Sequence, residues 1–398
     1  MRNNWFLAII AAAGLALAAI PGIPAAAEGE STDDLWYLRD YEDGTVSIAC
    51  TDKSITEAEI PAKVDGKTIT MVEVDGFKDC TNLKKVTIPD TVTVIEDYAF
   101  YSCAALEEVN IPRNVKNIGF QAFYGCAALK EISIPATCDN IEAFAFEGCS
   151  SLTGVHVAAD NPAYKDEDGV LFDITGETLH LYPSAKTDEH YALPPTCKTV
   201  YDYAFIGNPY LKSADISGIT SLGEDAFYYC TALESIEVPD AVTELNGSVF
   251  GNCAALTSVT LPQTLTTIGE SCFYNCMVLT ALDVPETVQT IGNYAFFNCP
   301  GLTRIHLTKN TTSIGDYALG WYLGDDGEPK RLPDFEVDAE DNTAAFDYCV
   351  KNSIKCTGGV TQGTVFLYII LGVVALVIII TIVIVVVQKK IQKKYELN

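Results

Sequence analysis

Positive charge is scarce in this 398-residue sequence. It holds 25 Lys and Arg residues against 53 Asp and Glu residues, with only 4 histidines, for a formal net charge of −28. Between the two chain ends the balance is more acidic still, with 20 basic and 52 acidic residues. A surface of this sign repels nucleic acid and anionic lipid headgroups, so neither is an expected partner. The acidity favours solubility, and it leaves open an attraction for cationic partners or multivalent cations.

Catalytic signatures are also missing. The sequence contains no Gly-x-Ser-x-Gly nucleophile motif, no phosphate-binding P-loop and no His-Glu-x-x-His zinc motif. Its 14 cysteines lack the paired Cys-x-x-Cys spacing of a structural zinc site. We therefore expect no catalytic residues, no cofactor and no bound metal, and an enzyme is the least favoured class of function.

Both ends of the chain carry apolar segments. Residues 1–27 combine a lone Arg2, an apolar run and small residues before Glu28, which predicts a cleaved secretory signal peptide, with an uncleaved anchor as the alternative. Residues 365–387 carry no charge and are numerous enough for a helix to cross a bilayer, with a buried core helix as the alternative. Four lysines follow at once, which predicts a type I single-pass plasma-membrane protein with an extracellular ectodomain.

A repeated phrase fills most of the chain between these segments. Each unit reads Phe-x-x-Cys-x-x-Leu-x-x-Val-x-Ile-Pro, mostly at a period of 23 residues. Such a period is the signature of a solenoid, because each unit buries its apolar face only against its neighbours. The Leu-x-x-Val-x-Ile segment alternates as a half-buried strand does, and the proline ends it. The return stretch, apolar at wider spacing, suits a short helix or a 3-10 turn.

Two repeat positions are expected inside the coil. The phenylalanine that ends the return stretch should stack on its counterpart in the next unit and build an aromatic spine. The second position holds cysteine in most units and Asn208 in one. Because Cys and Asn share only small size and hydrogen-bonding ability, this position should satisfy buried backbone groups, with reduced thiols; a metal–thiolate stack is disfavoured. The ladder cysteines, as we call them, are Cys80, Cys103, Cys126, Cys149, Cys230, Cys253, Cys276 and Cys299.

The repeat resembles the BspA-like, Treponema-type leucine-rich repeats over roughly Gly44 to Cys356. The resemblance implies strands on a concave face, a surface location, and binding of host proteins or other cells without a shared set of catalytic residues. We therefore predict a leucine-rich-repeat solenoid of about ten units with a parallel concave β-sheet, short helical or 3-10 convex turns and one C-terminal transmembrane helix.

The domain organisation follows from these segments. An N-terminal cap and atypical first repeat should span 28–76, and the repeats 77–332, with a β-hairpin insert at about 158–191 that projects from the stack. A C-terminal cap with a helix near Thr343 should span 333–356, followed by a stalk at 357–364, the transmembrane helix at 365–387 and a cytoplasmic tail at 388–398. A disulfide between Cys349 and Cys356, outside the repeats, is left open.

The outward residue in the middle of each strand defines what we call the strand row. Its polar and acidic side chains are expected to bind the ligand, because they leave the core between two buried neighbours. The row consists of Thr87, Asn110, Ser133, His156, Asp215, Glu237, Thr260, Asp283 and His306, with Ala192 at the remaining position. His156 and His180 are expected on neighbouring strands; a metal or pH-sensitive contact there is conceivable, but solvated side chains are favoured.

A second row, the aromatic flank, follows directly after the spine phenylalanines. It consists of Tyr101, Tyr124, Tyr228, Tyr274 and Phe297. Accessible aromatic side chains are frequent contact residues, and packing against the neighbouring repeat is the equally weighted alternative. We predict a non-enzymatic, membrane-anchored recognition or adhesion protein that binds an extracellular protein or glycan. A structural or self-associating envelope protein is the alternative function.

Overall fold

The computed structural model describes residues 30–31, 35–280 and 282–358. The expected signal peptide, transmembrane helix and cytoplasmic tail lie outside these residues, as does the expected stalk from residue 359. Within the described part of the chain, no helix combines the length and the apolar character that a membrane span needs. The chain divides into two compact units. The first holds the described residues up to Cys126 together with Asn140–Phe146, and the second holds Ala127–Asp139 and the described residues from Glu147.

In the first unit, strands stack into two ladders because successive repeats place equivalent residues side by side. The first ladder is parallel and comprises Glu57–Glu59, Lys85–Thr87 and Glu108–Val109. The second ladder lies in the return stretch, starts with an antiparallel cap and runs in the order Glu30–Ser31, Trp36–Asp40, Val46–Cys50, Met71–Val72, Val94–Ile95, Asn117–Ile118, Asn140–Ile141. Lys63–Val64 and Lys67–Thr68 form a short hairpin beside them.

The second unit repeats this arrangement. Its first-ladder strands pair as Glu131–Ile134 with Gly154–Val157, His190–Ala192 with Ser213–Asp215, Ser235–Glu237 with Ser258–Thr260, and Arg304–His306 with Glu336–Asp338 and then Lys355–Thr357. One second-ladder sheet runs Tyr164–Glu167, Val170–Asp173, Thr178–Leu181, Thr199–Val200, Ser221–Leu222, and another runs Glu244–Leu245, Thr267–Ile268, Thr290–Ile291, Ser313–Ile314. Trp321–Leu323 and Pro329–Arg331 form a hairpin.

The C-terminal cap contains the helix expected near Thr343, which spans Ala344–Asn352. The Thr343 hydroxyl accepts a hydrogen bond from the Phe346 amide at 3.2 Å, so it satisfies one of the amides that a helix N-terminus leaves without a partner. Ser353 ends the helix in the left-handed conformation, with a φ of 52°. Its amide donates to carbonyls of the last turn, as helix C-caps do.

The aromatic spine is confirmed in both units. In the first unit, ring centroids of successive phenylalanines from Phe77 to Phe146 lie 5.0, 5.1 and 5.7 Å apart. In the second, the stack from Tyr182 to Phe296 has spacings between 4.6 and 5.8 Å. These spacings follow the strand separation of about 4.8 Å, because one ring belongs to each repeat.

The return stretches do not form the predicted helical or 3-10 turns. Their amides alternate between two kinds of partner: Phe77 donates to Ala99 of the next repeat at 2.6 Å, whereas Cys80 donates within its own repeat to Phe77 at 3.0 Å. A helix would use every amide internally. Asp75 and Asp79 also have positive φ values of 57° and 61°, which a right-handed helix excludes. The return stretch is therefore a second parallel ladder followed by turns.

The insert forms the predicted hairpin, but it does not project from the stack. Val170–Asp173 pairs antiparallel with Thr178–Leu181, and the latter then pairs in parallel with Thr199–Val200 of the second ladder. Phe172 is fully buried, and Tyr182 stacks on Phe205 at 4.8 Å as the first ring of the spine. The insert is thus built into the core of the second unit, because its apolar side chains replace those of an ordinary repeat.

Candidate binding surface

The strand row is exposed along its whole length. Val86 and Ile88 are 1% and 2% exposed, while Thr87 between them faces solvent, as strand alternation requires. The other exposed members are Asn110, Ser133, His156, Ala192, Asp215, Glu237, Thr260, Asp283 and His306. Because the core does not use these side chains, they are accessible to a ligand.

Strand register brings members of the row together. The registered pairs are Ser133 with His156, Ala192 with Asp215, and Glu237 with Thr260. Glu59 extends the row beside Thr87, and Asp338 extends it beside His306. Sequence reasoning missed Glu59 and Asp338 because they lie in the atypical first repeat and in the C-terminal cap. The sequence carried a signal in both places, namely an acidic residue between apolar ones: Glu59 lies between Ala58 and Ile60, and Asp338 lies between Val337 and Ala339.

Hydrogen bonds hold two acidic side chains of the row in the second unit, Asp338 and Asp215. Asp338 accepts a hydrogen bond from the Arg304 guanidinium at 2.9 Å and lies 3.3 Å from Nδ1 of His306. The Ser217 amide donates to Asp215 at 3.0 Å, and this hydrogen bond lowers the pKa of the Asp215 carboxyl. Asp215 therefore carries its negative charge at neutral pH, and a bound cationic group would meet it directly.

Asn110 differs from the other row members because its side-chain amide forms hydrogen bonds with the backbone of the preceding repeat. Its side-chain nitrogen donates to the Ile88 carbonyl and its oxygen accepts from the Ile88 amide, both at 2.8 Å. The side chain thus replaces one pair of ladder hydrogen bonds beyond the end of Glu108–Val109. Its structural role leaves it less to offer a ligand than Thr87 or Glu237.

The predicted neighbourhood of His156 and His180 is wrong. His156 lies on the first ladder, where its Nε2 is 3.8 Å from the Glu131 carboxylate. His180 lies on a strand of the second ladder, half-buried against the rings of Tyr164 and Tyr201 at centroid distances of 5.5 and 5.1 Å. Burial lowers the pKa of His180. Among the residues that the structure describes, no cluster of His, Cys, Asp or Glu is arranged to hold a metal ion.

The aromatic flank packs against itself. Tyr101 and Tyr124 are half-buried and stack at 4.8 Å, and Tyr274 stacks on Phe297 at 5.5 Å. Phe297 is only 3% exposed, so its predicted place on an accessible flank is wrong: Tyr274 covers one face of the ring. Burial also raises the pKa of Tyr228 and Tyr274. In these two pairs, stacking covers one face of each ring.

The ladder position satisfies buried backbone groups, as predicted. Its thiols donate to the carbonyl of the spine residue in the preceding repeat at 3.0–3.3 Å; those that do so are Cys103, Cys126, Cys230, Cys253, Cys276 and Cys299. Asn208 serves the same purpose with four hydrogen bonds, donating to Pro183 and Lys186 and accepting from Tyr210 and Leu211. Cys349 and Cys356, whose disulfide the sequence left open, are present as two thiols with their side chains in contact.

Asn161 plays the same role inside the insert, and sequence reasoning missed it. Its side-chain nitrogen donates to Pro135 at 2.7 Å and to Cys138 at 2.8 Å, while its oxygen accepts from the two amides that follow. The signal was an Asn-Pro dipeptide, which occurs at Asn161 and again at Asn208. The pattern marks a repeat whose turn is closed by an amide instead of a thiol.

We expect the ladder thiols to remain reduced and unreactive in the native protein. Burial raises the pKa of Cys230 and of Cys299 to about 12, so the nucleophilic thiolate is not populated near neutral pH. Alkylation under denaturing, non-reducing conditions followed by mass spectrometry should find all eight as thiols. Recovery of crosslinks of the Cys103–Cys126 type in most molecules would contradict this expectation.

Three carboxyl groups are partly shielded from water and disfavour ionisation. In the first unit, burial and then the nearby Asp97 raise the pKa of Glu96 to about 7. In the second unit, burial raises the pKa of Glu147 to about 7 and that of Asp225 to about 6. Because each folded-state pKa lies above the unfolded value, the stability linked to these protons is present below the unfolded pKa and is lost as the pH rises through the folded pKa.

The free energy of unfolding should therefore fall as the pH rises from about 5 to about 8. Glu147→Gln should make this pH dependence shallower, because the amide cannot ionise. Denaturant titrations across that range would measure the slope, with Glu57→Gln, on an exposed strand carboxylate, as the control. Equal slopes in the two variants would show that Glu147 does not contribute.

The repeats match a known family model and several solved bacterial structures. The model of the BspA type leucine rich repeat region matches six copies over residues 47–165 and 190–321. A leucine-rich repeat protein from Eubacterium ventriosum is 25% identical over 69% of this chain and 95% of its own, with a TM-score of 0.45. The pneumococcal vaccine antigen PcpA is 21% identical over 83% of this chain and 98% of its own, with a TM-score of 0.51.

A leucine rich cell surface protein from Faecalibacterium prausnitzii is 22% identical over 75% of this chain and 96% of its own, with a TM-score of 0.44. No curated protein sequence matches the chain. The similarity to PcpA supports the parallel-ladder solenoid fold, and the repeat model agrees with the period read from the sequence.

Proposed function

Since this chain belongs to the BspA-type leucine-rich repeat family, we propose that it is a membrane-anchored surface protein that recognises an extracellular protein or glycan without catalysis. The observation that carries this proposal is the strand row. It offers a regular series of exposed polar and acidic side chains on a scaffold whose core does not need them. Anchoring rests on the apolar character of residues 365–387.

The chemistry of the row favours a partner with cationic groups. Asp215, Glu237 and Asp283 expose carboxylates in the second unit, and the chain as a whole has a net charge of −28. Opposite charges across an interface speed association and select against wrong partners. Asp215 and Glu237 lie on paired strands, so binding by these residues avoids the entropy of ordering loops.

Reversing these three charges should weaken ligand binding while leaving the fold intact. We expect the Asp215→Lys, Glu237→Lys, Asp283→Lys triple variant to lose at least about tenfold in affinity, equivalent to about 1.4 kcal/mol. Each substitution is at an exposed position and should change stability by no more than about 0.5 kcal/mol. Binding would be measured against a panel of purified extracellular-matrix proteins and polysaccharides, with thermal unfolding of the variant as the check on folding.

The matched control reverses three exposed charges away from the row. The Asp240→Lys, Glu244→Lys, Glu286→Lys variant changes the net charge by the same amount and should keep full affinity. Equal affinity of both variants and the parent would remove the strand row as the site. Equal losses in both would mean that overall charge, and not the row, governs binding.

A further inference from the structure

A groove of about 440 Å³ lies in the second unit beside the second ladder, away from the strand row. Four threonines line it, namely Thr264, Thr266, Thr287 and Thr312, together with Gln289, Asn310 and Lys309. The lining forms two columns at the repeat period, one from position 264 through 287 to 310 and one from 266 through 289 to 312. Three successive repeats therefore each contribute one residue to each column.

Hydrogen bonds to the preceding repeat fix the threonine hydroxyls. Thr264 donates to the Asp240 carbonyl at 2.6 Å, and Thr266 donates to the Thr243 carbonyl at 3.0 Å. In the same way, Thr287 donates to the Leu265 carbonyl at 2.6 Å, and Thr312 donates to the Gln289 carbonyl at 3.4 Å. A hydroxyl has one proton and two acceptor lone pairs. Since the proton is used inside the protein, the oxygen presents acceptor capacity to a ligand in the groove.

The amide side chains continue this arrangement. The nitrogen of Asn310 donates to the Glu286 carbonyl at 2.9 Å, which leaves its oxygen as an acceptor in the same column as Thr264 and Thr287. Gln289 is exposed between Thr266 and Thr312 and can donate as well as accept. The groove thus holds a regular set of hydrogen-bonding groups, repeated at the strand separation of about 4.8 Å.

The lining contains no carboxylate, although the chain as a whole is strongly acidic. Lys309 is its single charged group, so a polyanion would gain one contact and meet the negative field of the remaining surface. A protein partner would need a centre of large apolar or aromatic side chains to bury, and the lining supplies only threonine methyl groups and the stems of its polar side chains. A chain of sugar residues matches better, because its hydroxyls donate to the fixed acceptors and its C–H faces contact the threonine methyl groups.

We propose that this threonine groove binds a neutral, hydroxyl-rich glycan along the ladder direction. Its volume falls within the range of about 300–1,000 Å³ found for small-ligand sites. The groove is separate from the strand row, so a protein ligand on the row and a glycan in the groove would occupy different residues.

The test measures binding of maltohexaose, cellohexaose and chitohexaose to the full chain in nanodiscs by isothermal titration calorimetry. At least one of these glycans should bind with a dissociation constant of about 1 mM or tighter. Thr266→Val and Thr312→Val should each weaken that binding by about tenfold, because valine keeps the shape of threonine but removes its oxygen. Lys309→Gln should leave neutral-glycan affinity unchanged.

Thr220→Val is the matched control. Thr220 holds the same repeat position as Thr266 and donates the same kind of bond, to the Lys198 carbonyl at 3.3 Å, but it does not line the groove. The Thr220→Val variant should lose similar thermal stability and keep full glycan affinity.

The proposal is overturned if none of the three glycans binds, if Thr266→Val binds as the parent does, or if only the strand-row triple variant loses glycan binding. Binding of polygalacturonate that disappears in Lys309→Gln would instead assign an anion site.

Discussion

Phe250→Ala is expected to lower the free energy of unfolding by about 3–5 kcal/mol. The ring is fully buried, and it stacks between Phe227 at 5.8 Å and Phe273 at 5.5 Å. Truncation removes the contacts on both faces and leaves a cavity, which the neighbouring repeats cannot close because backbone hydrogen bonds fix their spacing. Denaturant titration of the parent and the variant would measure the loss.

Tyr210→Ala is the control for this prediction. Its side chain is 45% exposed, so the same change from an aromatic ring to a methyl group should cost far less. Phe250→Leu should fall between the two, since it keeps part of the buried volume. If Phe250→Ala and Tyr210→Ala cost the same, the aromatic spine does not carry the stability that its burial implies.

Asn208→Ala is the second substitution with a large expected effect, about 3 kcal/mol of lost stability. The Asn208 side chain is fully buried and makes four hydrogen bonds to backbone groups, including those to the amides of Tyr210 and Leu211 at 2.9 and 2.8 Å. Each buried polar group left without a partner costs about 1–3 kcal/mol. The substitution leaves four backbone groups without their partner, so a total loss of about 3 kcal/mol is a conservative expectation. The measurement is again the free energy of unfolding in denaturant.

The Asn208→Cys variant tests whether the side-chain amide itself is needed at this repeat position. The thiol is the usual residue of this repeat position, and Cys230 and Cys253 each donate one hydrogen bond to a carbonyl of the preceding repeat. A thiol has a single proton, whereas the Asn208 amide nitrogen donates to two carbonyls. We expect an intermediate loss. Asn114→Ala, which removes one exposed bond to the Asp90 carbonyl, should change little. A stable Asn208→Ala variant would mean that the buried amides find other partners.

The period of the sequence was enough to predict the solenoid, because equivalent residues must meet when repeats stack. It placed Phe250 in the spine and Glu237 on the exposed side of a strand, where the structure has them. It was not enough to predict the return stretch. The hydrogen bond from Phe77 to Ala99 links residues of different repeats, and such a bond leaves no mark in the local apolar spacing.

Other misses have the same origin in contacts between repeats. The alternation of the insert predicted its hairpin, but only the stack shows that Tyr182 fills a place in the spine. Phe297 looked accessible because its spacing in the sequence does not show which rings pack on it: Tyr274 of the preceding repeat stacks on one face, and Tyr294 of its own repeat packs against it edge to face. The threonine groove also escaped notice, since its columns become a surface feature only when three return stretches lie side by side.

Recognition of a different molecule, as opposed to self-assembly, is the central claim about function. Sedimentation velocity of the fluorescently labelled full chain in nanodiscs tests it most directly, alone over a range of concentrations and then with each member of the matrix-protein and polysaccharide panel. We predict that the sedimentation coefficient stays constant with the concentration of the chain and increases when at least one panel member is added. A coefficient that rises with the concentration of the chain itself, and that no panel member changes, would contradict the account and indicate a self-associating structural protein.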